Sequence, residues 1–256
     1  MITEYHRPKY LDQAINLLSK PDTFPMGGGT LLSQKSDTFF AVVDLQDLGL
    51  NKIHKVGEKL EIGATTTLSS LVESPYIPKA LVQALLLETP VNIRNIATVA
   101  GTLVSCDGRS PFAVAMLALD AKMTFTSGSE PTTLGNYLPL RSNMDRVHLF
   151  KPLKLITKIE IPLNVNFVFE TIARTPMDRP IVCASLVQWP SGRTRLSLGG
   201  YGSAPILALD GNDLAGISLV ARDAYKEAID EWASAEYRSE MAAVLAKRCA
   251  GKIANS

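Results

Sequence analysis

Between Asn92 and Ala121 the chain runs through small residues and then into an apolar segment, and this stretch limits the fold more than any other. Ala97, Thr98, Ala100, Gly101, Thr102 and Ser105 let the backbone approach another body closely. Gly101 is free to take a positive φ, and Thr98, Thr102 and Ser105 carry hydroxyls that donate and accept. Downstream, Ser110 is a good N-cap and Pro111 suits the first helical position. Phe112, Ala115, Met116 and Leu119 then fall at helical spacing. A hydroxyl-rich loop feeding a helix N-terminus suits an anion such as a pyrophosphate. A tight turn packed in a core satisfies the same local pattern, and both readings stand on these residues alone.

A second glycine stretch precedes it, Thr23-Phe24-Pro25-Met26-Gly27-Gly28-Gly29-Thr30-Leu31-Leu32. Three consecutive glycines are foreign to a strand interior. They can turn successive N–H groups toward one point, the geometry of an anion nest. The segment is neither G-x-G-x-x-G nor a Walker A loop, since no lysine follows at the required place. A flexible turn is the competing reading.

The remaining pattern predicts a helix over 8–20 and strands over 39–45 and 51–56, then a hairpin turn at Gly57-Glu58-Lys59 into a strand over 60–64. Helices are expected over 68–73 and 78–88, a strand over 122–126, and a turn at 127–131. Residues 132–150 read as loop with a short helix, and Lys158 to Pro162 as a strand. From about Asn164 four runs read as antiparallel strands, 167–172, 181–188, 195–198 and 206–209. Helices follow over 218–232 and 235–250. In the last of these Tyr237, Met241, Val244, Leu245 and Arg248 are expected to share a face, with Ser234 as N-cap and Gly251 just past the end. Strands followed by helices give an α+β class.

Charge is nearly balanced, 26 basic against 25 acidic residues. No basic cluster offers a footprint for nucleic acid or an anionic membrane. No apolar run approaches a membrane span, and residues 1–10 lack a signal-peptide core. Cys106, Cys183 and Cys249 are widely spaced, and His6, His54 and His148 lack metal-ligand spacing, so no metal site is expected from this chain. The expectation is a reduced, cytoplasmic protein.

The order of these pieces resembles the FAD-binding (medium) subunit of the molybdenum hydroxylases, the carbon monoxide dehydrogenase and xanthine dehydrogenase family. Residues 25–32 resemble that family's first flavin loop. Val43-Asp44-Leu45 and residues 60–66 resemble the strands that follow. Residues 93–103 are similar to the second flavin loop, usually Arg-Asn-x-x-Thr-x-Gly-Gly-Asn-Leu. Residues 117–121, the corner Leu198-Gly199-Gly200 with Pro205, and residues 232–238 complete the likeness. The resemblance implies a two-part FAD-binding domain of the vanillyl-alcohol-oxidase (PCMH) type over 1–162, with subdomains about 1–56 and 57–162. A small α+β C-terminal domain of the CO-dehydrogenase-flavoprotein kind would follow over 163–256. It implies FAD as cofactor and electron transfer from a 2Fe-2S subunit through FAD to NAD or another acceptor, with the substrate oxidised on a molybdopterin-binding large subunit. No catalytic acid, base or nucleophile is implied here. The cofactor-binding residues would be Met26, Gly27, Gly28, Gly29, Thr30 and Leu31 of the first loop, and Thr98, Ala100, Gly101, Thr102, Ser105 and Asp107 of the second. Lys158 to Ile161 would form an inner strand near the flavin. Arg94 would hold its loop by a salt bridge or meet a phosphate.

The chain departs from the pattern at Ala100, where the family has glycine, at Thr102, where asparagine is common, and at Pro111, where an acidic residue is usual. Losing a charge-assisted acceptor costs about 1.5–3 kcal/mol. These changes keep a second class open: a relative with weakened or lost flavin binding that acts as a scaffold or assembly module. A side chain at Gly28 is expected to block the nest and weaken FAD binding while the chain still folds.

Overall fold

The computed structural model describes residues 1–33, 40–126, 130–142, 155–176 and 178–255. Residues 127–129 of the expected turn at 127–131, the residues beyond 142 in the mixed segment, and His148 lie outside them.

The chain begins with a parallel three-stranded sheet. Strands β1 (Ile2–His6), β2 (Thr23–Met26) and β3 (Phe40–Asp44) pair in the order β1-β3-β2. Helix α1 (Leu11–Leu18) lays Ala14 and Leu18 against Val43, Leu45 and Leu155. β1 and β2 were not foreseen. β1 shows only two partly buried positions, so it lacks a strand's alternation. β2 contains Pro25, which an edge strand tolerates because one side of it makes no ladder bonds.

An antiparallel five-stranded sheet follows. β4 (Ile53–Val56), β5 (Lys59–Gly63), β6 (Lys122–Phe125), β7 (Thr132–Thr133) and β8 (Ile156–Pro162) pair in the order β4-β5-β8-β6-β7. Residues 53–56, expected with the first subdomain, thus pair in this second sheet, joined to β5 by a turn in which Gly57 has φ +60°. Between β5 and β6 lie α2 (Leu68–Val72), α3 (Lys79–Glu88), α4 (Val91–Arg94), α5 (Val99–Ser105) and α6 (Pro111–Ala118). Residues 97–105, read as a loop, are therefore mostly helix. α6 begins as expected, with Ser110 accepting from the Ala113 N–H and Pro111 at its first turn. It is not amphipathic, because all eight of its residues are buried. Helix α7 (Leu134–Ser142) follows β7.

The last sheet is an antiparallel meander, β9 (Asn166–Ile172), β10 (Val182–Gln188), β11 (Thr194–Gly199) and β12 (Ile206–Gly211). β10 is buried on both faces. Cys183 and Val187 join the core around α6, while Val182, Ala184 and Leu186 join a second core under α8 (Ile217–Ala224) and α9 (Ala235–Ala254). The helix expected over 218–232 stops at Ala224. From there Arg238 donates to the Ala228 and Ala233 carbonyls and to Asp230, whose carboxylate also accepts from the N–H groups of Trp232 and Ala233. Those bonds replace the helical ladder. In α9 the buried face is Arg238, Ala242, Leu245, Ala246, Cys249 and Ile253, while Tyr237 is exposed. Of the residues chosen from the sequence Leu245 is buried here and Met241 packs against the same core, while the small residues Ala242, Ala246 and Cys249 let the helix lie close to the sheet. Gly251 sits inside α9, not beyond it.

No described helix is long and apolar enough to cross a membrane. The three cysteines are buried and unpaired.

Candidate functional site

The first glycine loop leaves the edge strand β2 at Met26. Gly29 alone of its three glycines has a positive φ, +69°. The other two are required by packing. A Cβ on Gly28 would lie 1.7 Å from the Ile96 carbonyl oxygen, and one on Gly27 would lie 2.6 Å from Thr98 Oγ1. The two loops therefore touch backbone to backbone, and glycine is what permits the contact. The N–H groups of Gly27, Gly28, Gly29 and Thr30 donate to no described residue.

The second loop is pinned from behind. Ala97 O accepts from Leu68 N, Val99 N donates to Thr66 O, and Ala100 N donates to Ala64 O. Thr98 Oγ1 caps α5 by accepting from Gly101 N at 3.2 Å. Gly101 is an ordinary helical residue and does not use its freedom to take a positive φ. The Thr102 and Ser105 hydroxyls donate to the carbonyls of Thr98 and Gly101 at 2.9 and 2.8 Å. In these rotamers they offer lone pairs rather than protons. The Thr98 hydroxyl accepts the capping bond and keeps its own proton.

Both loops line one cleft of about 130 Å³. Eleven of the twelve residues expected to hold the cofactor contribute to it. Asp107 does not; it lines an adjoining cleft of about 860 Å³, which shares Thr30, Leu31, Thr102 and Ser105 with the first. The far wall of the first cleft is apolar, formed by Leu45, Val104, Leu155, Ile156 and the Phe125–Tyr137 pair, whose ring centroids are 6.4 Å apart. Burial pushes the Tyr137 phenol above its ordinary range. Thr65 also lines this cleft, and its buried hydroxyl has no partner among the described residues. An orphaned buried hydroxyl is uncommon in folded proteins. Together with four undonated N–H groups, it fits an anionic ligand rich in acceptors.

Several expectations are corrected here. β8 is an inner strand of its sheet, as expected, although Lys158 to Ile161 line neither cleft. Lys158 faces the sheet surface and pairs with Glu61 at 2.7 Å, and Ile156 is the residue of β8 that reaches the first cleft. Arg94 makes no salt bridge among the described residues; it lines the second cleft, and its buried Nε has no partner among the described residues. Its Nη1 donates to the carbonyls of Thr89 and Leu86 at 2.5 and 3.3 Å, closing the end of α3. The N-terminus of α6, offered by the sequence as an anion site, is filled from within. Glu88 Oε2 accepts from the Ser110 hydroxyl at 2.8 Å and from the Phe112 N–H at 3.0 Å. The carboxylate missing at Pro111 is thus supplied to the same helix turn by Glu88, and burial raises its pKa.

The C-terminal glycine corner lines neither of these two clefts. It grips the end of the second loop instead: Gly108 N donates to Gly202 O at 2.9 Å, and Gly200 N donates to Gly108 O at 2.7 Å. Arg179, from the connection between β9 and β10, lines the second cleft and pairs with Asp107 at 2.6 Å. Buried Arg141 donates to Val104 O and Ser203 O, tying α5 to the same corner. Sequence reasoning missed Thr65, Glu88, Tyr137 and Arg179 as site residues. Only Thr65 left a trace, in the run Thr65-Thr66-Thr67.

The family described as the FAD binding domain in molybdopterin dehydrogenase matches residues 1–164. The carbon monoxide dehydrogenase medium chain of Afipia carboxidovorans is 30% identical over an alignment covering 96% of this chain and 94% of that one. Among solved structures, the Cu,Mo-CO dehydrogenase in its cyanide-inactivated form superposes with a TM-score of 0.80 at 25% identity, covering 100% of this chain and 99% of that one. Quinoline 2-oxidoreductase from Pseudomonas putida 86 superposes with a TM-score of 0.77 at 22% identity, covering 98% and 96%, a likeness of fold.

Proposed function

The chain belongs to the FAD-binding subunits of the molybdopterin dehydrogenases, and from that premise we propose that it passes electrons from a 2Fe-2S subunit through FAD to NAD or another acceptor. Its substrate-oxidising partner in this reading is a molybdopterin-binding large subunit, and its compartment is the cytoplasm. The observation that carries the reading is the meeting of both glycine loops around one cleft.

In this reading the first loop and the second are the two jaws of a diphosphate site. The N–H groups of residues 27–30 and the hydroxyls of Thr98 and Thr65 would hold the diphosphate as donors. Thr102 and Ser105, whose protons are used within α5, would hold the cofactor as acceptors. Met26, Leu31, Ala100 and the apolar far wall exclude water from one end of the dinucleotide. Asp107, held by Arg179, borders the other. Bound FAD supplies the exchange between one-electron and two-electron carriers. This chain's own side chains hold, orient and desolvate it, and no acid or base among them is needed.

The test is the purified chain itself. Yellow protein that releases FAD on denaturation, and whose flavin is reduced by the iron–sulfur partner, supports the reading. Colourless protein that stays so after incubation with FAD overturns it in favour of a scaffold role.

A further inference from the structure

Glu88 is placed for more than helix capping. α6 is already capped by Ser110, whose hydroxyl oxygen accepts from Ala113 N at 3.1 Å. Pro111 has no N–H to offer, so Glu88 satisfies only the Phe112 N–H and the Ser110 proton, both through Oε2. An ionised carboxylate accepts through both oxygens. Oε1 receives no hydrogen bond from any described residue. The nearby cation does not claim it, because Arg179 is taken by Asp107 at 2.6 Å. Glu88 lines the second cleft, which opens directly from the glycine loops. The positive end of α6 favours the charged form that burial opposes.

We propose that Glu88 Oε1 is the acceptor in the second cleft for hydroxyl groups of the bound dinucleotide. The inference rests on the FAD reading above. A carboxylate repels phosphate and accepts from hydroxyls, so it sorts the cofactor: the diphosphate stays at the glycine loops and a hydroxyl-bearing segment enters the second cleft. Two segments of FAD have that chemistry, the ribityl chain and the adenosine ribose.

The experiment is a binding cycle on the full chain, with Glu88→Gln and Ser110→Ala measured beside the unsubstituted protein. The ligands are FAD, FAD built on 2′,3′-dideoxyadenosine, and FAD whose ribityl hydroxyls are removed. Failure of the unsubstituted protein to bind FAD overturns the underlying reading, and this inference with it. Given FAD binding, Glu88→Gln is expected to weaken it roughly ten- to hundredfold, and Ser110→Ala to lower Tm without that loss. One of the two analogues should bind the unsubstituted protein weakly and lose nothing further in Glu88→Gln. That analogue identifies the segment. FAD affinity within twofold in Glu88→Gln, an equal loss in Ser110→Ala, or coupling to neither analogue overturns the proposal. Should Glu88→Gln fail to fold, Glu88→Asp, which keeps the charge and withdraws the oxygen, is read by the same criteria.

Discussion

Gly28 is constrained by more than the sequence suggested. Its place in a glycine triplet was legible, and so was its link to the cofactor loop. The sequence suggested that a side chain there would only block the ligand. In the fold a Cβ would sit 1.7 Å from Ile96 O, a backbone atom that cannot step aside. Gly28→Ala is therefore expected to separate the loops, losing FAD binding and lowering Tm together in a thermal-shift assay with and without FAD. Thr65 gives the opposite signature. Its buried hydroxyl has no partner in the described fold, and such a group costs about 1–3 kcal/mol to bury. Thr65→Val keeps the shape and removes that cost. Its Tm without FAD should be unchanged or raised, while FAD affinity falls roughly tenfold or more. A drop in both would assign Thr65 to the fold alone. Glu88 and Arg179 were not legible at this scale, because each acquires its meaning from a partner remote in sequence.

At the scale of elements, the long regular helices and the antiparallel meander were readable from period and turn residues, whereas the elements that form the site were not. Helix α5 contains Val, Gly, Thr and Ser, all poor helix formers. It forms because Thr98 caps it and because Val99 and Ala100 are bonded to the backbone before α2. Thr98→Ala should cost about 1 kcal/mol, a Tm decrease of about 2–4 °C in a chain of this size, with weakened FAD binding as the lost hydroxyl also leaves the cleft. The glycine corner after β11 was legible as a corner but not as a clasp. A Cβ on Gly108 would lie 1.8 Å from Tyr201 O. Gly108→Ala should therefore loosen the last sheet from the second loop, seen as faster proteolysis between β8 and β9 and a weaker hold on FAD.

Over the whole molecule, the order of segments along the chain was enough to identify the family, but not what binds the last sheet to the cofactor-binding part. That bond is partly ionic. Asp120, just beyond α6, has φ +54° and meets Arg193 at 3.0 Å and Arg195 at 2.6 Å; both arginines also reach Asp210, on β12. Arg195 is almost fully buried, and burial lowers its pKa. Removing one carboxylate leaves that charge with a single partner at 3.3 Å. Asp120→Asn, which tolerates the same backbone, should cost about 3 kcal/mol and lower Tm by about 6–12 °C. The pH dependence has a definite sign. The Arg193 guanidinium holds Asp210 below the ordinary carboxylate range. Its stabilisation is thus complete above the ordinary aspartate pKa and disappears as pH falls through the lowered one. In Asp120→Asn, Asp210 is the remaining counter-charge, so the variant should unfold at higher pH than the unsubstituted protein in an acid titration followed by circular dichroism. Coincident acid transitions would mean that packing of α6 against β10 and β11, rather than this charge cluster, joins the two halves.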